Sequence, residues 1–158
     1  MLIWGYKEKD GGLFMFLNKL SVEEQKSILD LVEIINDENI NAEEEKLIAE
    51  YKEELELDYT PSKKNFDDVI STYKNSSKEN KVIVYFELMG LALCDGNYEA
   101  DEKTFMENVK KSFEISDDIE NRVFNWFAAV KKLYDETEID WVSAIGRLER
   151  EAEDIISM

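Results

Sequence analysis

The chain has 158 residues, 44% of them hydrophobic and 11% aromatic, with nineteen basic against thirty-seven acidic side chains and a formal charge of -18. That charge repels nucleic-acid phosphates and anionic lipid, which argues against direct nucleic-acid binding. Histidine is absent and Cys94 is the single cysteine. An internal disulfide is therefore excluded, and zinc chemistry has lost its usual ligands.

One proline, six glycines and several apolar-periodic stretches of helical length predict an all-α domain of about seven helices. The acidic excess is uneven. Residues 21–58 carry fourteen acids against three bases and residues 135–158 carry eight against two, while 59–134 are nearly balanced. The longest apolar run, Val82 to Cys94, is interrupted by Glu87 and too short for a bilayer. With no signal-peptide pattern and one cysteine, the expectation is a cytosolic protein without membrane insertion.

Residues 1–14 read as a leader or a small hairpin, with Leu2 to Tyr6 and Leu13 to Phe16 flanking a Gly11-Gly12 turn. Asp10-Gly11-Gly12 can also be encoded by a purine-rich ribosome-binding sequence placed before Met15, which would make Met15 the native start. A single domain is expected over 15–158.

Ser21-Val22-Glu23-Glu24 is a capping box opening a first helix to about Asn36, with Ile28, Leu31, Val32 and Ile35 on its apolar face. Asn41-Ala42-Glu43-Glu44 opens a second, with Leu47, Ile48, Tyr51 and Leu55 inward. Thr60 before Pro61 predicts the start of a third, burying Phe66, Val69, Ile70 and Tyr73. Ser76-Ser77-Lys78-Glu79 reads as another box, ahead of a helix apolar on nearly every face and so expected at the centre. Phe105, Met106, Val109 and Phe113 mark the fifth helix; Ser116 with Asp117 and Asp118 caps a sixth containing Val123, Phe124, Trp126, Phe127 and Val130. A last helix after Thr137 carries Trp141, Ile145, Leu148, Ala152 and Ile155, a stripe expected to pack on the bundle, with contact to a partner as the alternative.

An offset of 58 residues superposes Asp37 on Asp95, Asn39 on Asn97, Ala42 on Ala100, Glu44 on Glu102, Lys52 on Lys110 and Glu56 on Glu114. The apolar positions Leu47, Ile48, Tyr51 and Leu55 fall on Phe105, Met106, Val109 and Phe113. The expectation is two pseudo-symmetric three-helix repeats, 21–76 and 77–134, plus an added C-terminal helix over 137–156.

The loop between the fourth and fifth helices carries the chemistry worth testing. Gly96 suits the left-handed turn after a helix, and Asp101 and Glu102 complement a helix N-terminus without any ligand. Asp95 is the anomaly, because its charge meets the negative pole of the preceding helix. The alternative is that Asp95, Asn97, Asp101 and Glu102 converge as hard oxygen ligands for calcium, magnesium or manganese, with Asp37, Asn39 and Glu44 as a weaker first copy. An EF-hand is excluded, since counting from Asp95 the sixth and twelfth positions are Ala100 and Met106.

Cys94-Asp95-Gly96 with Glu102, after an apolar helix, resembles the helix, Asp-Gly, short loop, Glu, helix signature of the TerB-like family of tellurite-resistance and stress-response proteins. Phe16-Leu17-Asn18-Lys19-Leu20-Ser21 resembles the common start of bacterial members, and coverage runs from about Met15 to Tyr134. The first copy departs from the pattern, with Glu38 where the glycine belongs. The resemblance implies a helical-repeat fold and a metal-associated acidic site.

Glu87 is expected on the one wet face of its helix, with a buried acid of raised pKa as the alternative. Gly90 predicts close approach of another helix, and Cys94 reads as a small buried hydrophobe. These features favour a non-enzymatic binding or scaffold domain whose partner is a protein with a basic surface. The alternatives are a carboxylate-only magnesium or manganese enzyme using inward acids such as Glu87, Asp30 or Glu33, and a phage or mobile-element accessory protein that occludes a host partner.

Overall fold

A computed structural model of the chain describes residues 16–35, 49–53, 55–61, 65–93, 98–135 and 141–158. Among them every regular element is helical and none is a strand. A 3-10 turn at Leu17–Lys19 precedes α1 (Val22–Ile35), and residues 49–53 are helical. Then follow α2 (Phe66–Ser71), α3 (Lys78–Leu93), α4 (Ala100–Phe113), α5 (Asp117–Asp135) and α6 (Trp141–Ile156). The expected leader or hairpin at 1–14 and the second capping box at Asn41 lie outside the described residues.

The centre of the bundle is α3. Every residue from Val82 to Ala92 is buried, as a helix apolar on all faces requires. It packs against α1, α4, α5, α6 and the 3-10 turn, while α6 lies along α5. Trp126 on α5 fixes that last seam by donating its indole N–H to the Leu148 carbonyl at 2.8 Å. Leu148, Ala152 and Ile155 of the C-terminal stripe are buried against the bundle, so core packing accounts for these three positions.

At Gly90 a side chain of α5 fills the space that a Cβ would take. A Cβ at that position would stand 2.9 Å from the tip of the Phe127 ring, and Phe127 is packed in turn on Phe86 and Trp126. The close approach expected at this glycine is made by an aromatic side chain, which needs the missing methyl's space.

Helix starts follow local chemistry in three places. The Ser21 box is complete, with Glu24 N–H donating to Ser21 Oγ at 3.2 Å and Ser21 N–H donating to Glu24 Oε1 at 3.0 Å. Ser116 caps α5 by accepting from Ile119 N–H at 3.2 Å. Glu102 caps α4 by accepting from Glu99 N–H at 3.4 Å.

Two expected starts are corrected. The N-cap of α2 is Asn65, accepting from Asp68 N–H at 2.8 Å, and Thr60 and Pro61 precede the helix in non-helical backbone. The cap of α3 is Ser77, accepting from Asn80 N–H at 3.1 Å, because the Ser76 hydroxyl is engaged elsewhere: it donates to Glu24 at 2.7 Å.

Helix ends show a second regularity. Glu56 and Glu114 both take left-handed backbone, with φ of 53° and 55°. Leu57 N–H donates to the Lys52 carbonyl at 2.8 Å, and Ile115 N–H to the Lys110 carbonyl at 3.0 Å. These six-residue closures are the Schellman pattern, with glutamate in the place that glycine usually takes.

Candidate functional site

Among the described residues five polar side chains are buried with the apolar core: Glu24, Gln25, Ser27, Asp30 and Glu87. Three are acids, and each is held in a different way.

Glu24 is a hub joining α1 to the α2–α3 turn. Its carboxylate accepts from Ser21 N–H, from the Ser76 hydroxyl and from the Asn80 amide, and its backbone carbonyl accepts from the Tyr73 hydroxyl at 2.7 Å. Burial pushes this carboxyl up, but the hydrogen bonds from Ser21, Ser76 and Asn80 outweigh it and leave the group below its usual range. The Tyr73 hydroxyl is pushed well above the ordinary phenol range by burial and by the charges of Glu24 and Asp30. Gln25 adds a further tie, donating to the Leu17 carbonyl at 2.9 Å.

Asp30 lies one turn and a half further along α1, 2% exposed. The Tyr59 hydroxyl reaches both of its carboxylate oxygens, at 2.8 and 2.9 Å, and Lys26 stands 5.8 Å from the centre of the Tyr59 ring. Glu33, the third acid proposed for an interior metal site, is half-buried.

Glu87 corrects the expectation of a wet face. It is buried with its neighbours on α3, at 6% exposure, and Tyr51 donates its hydroxyl to Oε2 at 3.3 Å. Burial pushes the carboxyl up to about 8, against the opposing pull of the Tyr51 hydrogen bond. A helix buried all round has no wet face, and burial there favours the uncharged form of the carboxyl.

A fourth polar group is nearer the surface. Lys110 on α4 bridges Asp117 and Glu120 of α5, and the Tyr85 hydroxyl donates to Glu120 at 3.3 Å. Burial and the Glu120 charge push Tyr85 well above the phenol range. Tyr98, at the entrance to α4, is pushed up to about 12 by burial and by Glu120, Glu107 and Glu102. Its ring packs on Phe124 and receives Lys103 at 5.6 Å.

Among the sequence-predicted ligands, Asp95, Asn97, Asp37, Asn39 and Glu44 lie outside the described residues, as does Cys94. Asp101 is exposed in the first turn of α4, and Glu102 turns back to cap that turn. Among the described residues no group of three or more Cys, Asp or Glu side chains could hold a metal ion. Asp30 and Glu87 meet tyrosine hydroxyls on different elements. Tyr51 carried a signal in its place on the predicted inward stripe, since a phenol taken into a core brings a hydroxyl that must be paired, whereas Tyr59, half-exposed beside Asp58, carried none.

The surface has a different character. Val22, at 55% exposure, is the large exposed hydrophobic among the described residues. A groove of about 230 Å³ between α5 and α6 is lined by Arg122, Asn125, Trp126, Glu151, Asp154 and Ile155. No described helix is long and apolar enough to cross a membrane. No family model, curated protein or solved structure matches the chain.

Proposed function

We propose that the chain is a non-enzymatic acidic helical domain that binds or scaffolds a protein through its charged surface. The observation that carries this reading is the division of polar and apolar groups. The buried acids are engaged with serine, asparagine or tyrosine partners, whereas the described acids of α4 to α6 are half-exposed or exposed, and among the described residues Val22 is the large exposed apolar side chain. With a net charge of -18, the complementary partner is a basic protein face.

The TerB-like reading belongs to the same proposal and rests on the Asp95-Gly96 and Glu102 signature. Its duplication is supported by the matched closures at Glu56 and Glu114, at the 58-residue offset. A role in a stress-response assembly, modulated by a divalent cation at the 95–102 loop, is the form this reading takes.

Carbodiimide coupling in the source cell tests the proposal, because it joins exposed carboxylates directly to lysines in contact with them. The expected product links acids of α4 to α6 to lysines of one second protein. Coupling confined to the chain's own lysines would overturn the reading.

A further inference from the structure

The contact between the helical stretch 49–53 and α3 is closed by two polar side chains that a surface function does not use. Tyr51 is 0% exposed and Glu87 6% exposed, with the hydroxyl donating to the carboxyl at 3.3 Å. A carboxylate in such a place needs a cation or several donors, and one tyrosine hydroxyl is a weak substitute.

Among the described charged groups of the surrounding elements several are paired and others exposed, and Glu50, Lys52 and Glu53 of the stretch itself are half-exposed or exposed. On α1, Glu24 is held by Ser21, Ser76 and Asn80, and Asp30 by Tyr59. Lys19 of the 3-10 turn pairs with Glu79, and Lys110 of α4 with Asp117 and Glu120 of α5, where Tyr85 also bonds. Asp67 and Asp68 of α2 are exposed, and the described charged residues of α6, from Arg147 to Asp154, are exposed or half-exposed. Burial, opposed by the Tyr51 bond, is what acts on the Glu87 carboxyl, and no charge from these groups contributes.

We propose that Tyr51 and Glu87 form a proton-dependent latch: with the carboxyl protonated the stretch 49–53 is seated on α3, and loss of that proton to solvent lifts the stretch as water hydrates the carboxylate. The sign follows from linkage. Seated, the group holds its proton to about pH 8; released into water, it returns to its ordinary value of 4.5. Opening therefore releases a proton between those limits, so the opening constant rises about tenfold per pH unit across them and levels off above.

Amide hydrogen exchange on the full chain from about pH 5 to 9, corrected for intrinsic base catalysis, reads this opening at Leu55 and Leu57. Their N–H groups donate to the Tyr51 and Lys52 carbonyls, closures within the stretch that so short a helix does not keep in water once it leaves α3. The expected result is protection at these amides that falls about tenfold per pH unit and levels off near pH 8, while amides in the middle of α5 stay protected. Glu87→Gln, which has no proton to lose, flattens the profile. Unchanged protection across the range, the same slope in Glu87→Gln, or parallel loss throughout α5 would overturn the latch. Carbon-13 titration of the Glu87 carboxyl in the unmodified chain gives an independent reading: a midpoint above about 7 supports the proposal and one near the ordinary glutamate value overturns it.

Discussion

Glu56 and Glu114, 58 residues apart, occupy the same left-handed backbone position at the ends of two helices, and each is followed by an apolar residue whose N–H closes back on a lysine carbonyl. The left-handed region penalises a Cβ, so both glutamates hold a conformation that glycine adopts freely. Glu114→Gly is therefore expected to stabilise the fold by about 0.5–1 kcal/mol in urea unfolding, and Glu114→Val to destabilise it by more than about 1 kcal/mol. Glu56→Gly should behave like Glu114→Gly if the two closures are structural counterparts.

Glu24 joins three segments, and its removal is felt in all of them. Glu24→Ala leaves Ser21 N–H, the Ser76 hydroxyl and the Asn80 amide without their acceptor. A loss of about 2–4 kcal/mol is expected from equilibrium unfolding. The pH dependence follows from the depressed carboxyl. Its contribution is present above the unfolded glutamate value and is lost as pH falls through the lower folded value, so the wild type and Glu24→Gln should converge in stability on acidification. Glu87 has the opposite sign, contributing most below its unfolded value and losing that contribution as pH rises through about 8.

Gly90→Ala tests the packing of α3 on α5. An alanine gains helix propensity of about 1 kcal/mol, but its methyl would lie 2.9 Å from the Phe127 ring, which Phe86 and Trp126 hold in place. Overpacking costs about 1–3 kcal/mol. Thermal and urea unfolding should both show a net loss, and Gly90→Ala combined with Phe127→Leu should recover part of it.

The central helix, its apolar run, the Ser21 and Ser116 caps and the buried stripe of α4 are legible because each depends on residues within one or two turns, whereas Ile35, Leu55, Phe66 and Ile70, expected inward, are half-buried at the edge of the core. The cap of α3 was misplaced by one residue for a different reason. Ser76 and Ser77 are locally equivalent, and what separates them is Glu24, 52 positions earlier, which takes the Ser76 hydroxyl. Thr60-Pro61 likewise has the local form of a helix start, yet the cap that forms is Asn65, an equally good acceptor. The burial of Glu87 runs against the reading of a wet face, and neither Glu87 nor Asp30 shows its partner locally, since the tyrosine hydroxyls they meet are 36 and 29 residues away. Of the candidate loop, Glu102 had a readable role as first-turn punctuation, and the fold adds its bond to Glu99.

That bond gives a way to separate capping from cation binding. Glutamine retains the acceptor oxygen that the Glu99 N–H needs but lacks the charge a hard cation requires. Glu102→Gln is expected to change stability by less than about 1 kcal/mol. If the acidic loop holds calcium, magnesium or manganese, calorimetry will show heat in the wild type that falls in this variant and in Asp95→Asn. Equal heats in all three would remove these two residues from any cation site.

The proposal of a charge-led protein interface is tested most directly by recovering the carbodiimide-linked partner without the coupling agent, on the immobilised chain, at two salt concentrations. Between about 0.1 M and 1 M salt the screening length falls from about 10 Å to about 3 Å. Recovery that drops steeply over that range is the predicted result. Recovery that is unchanged or stronger in 1 M salt would mean that apolar contacts hold the partner, and would contradict the account.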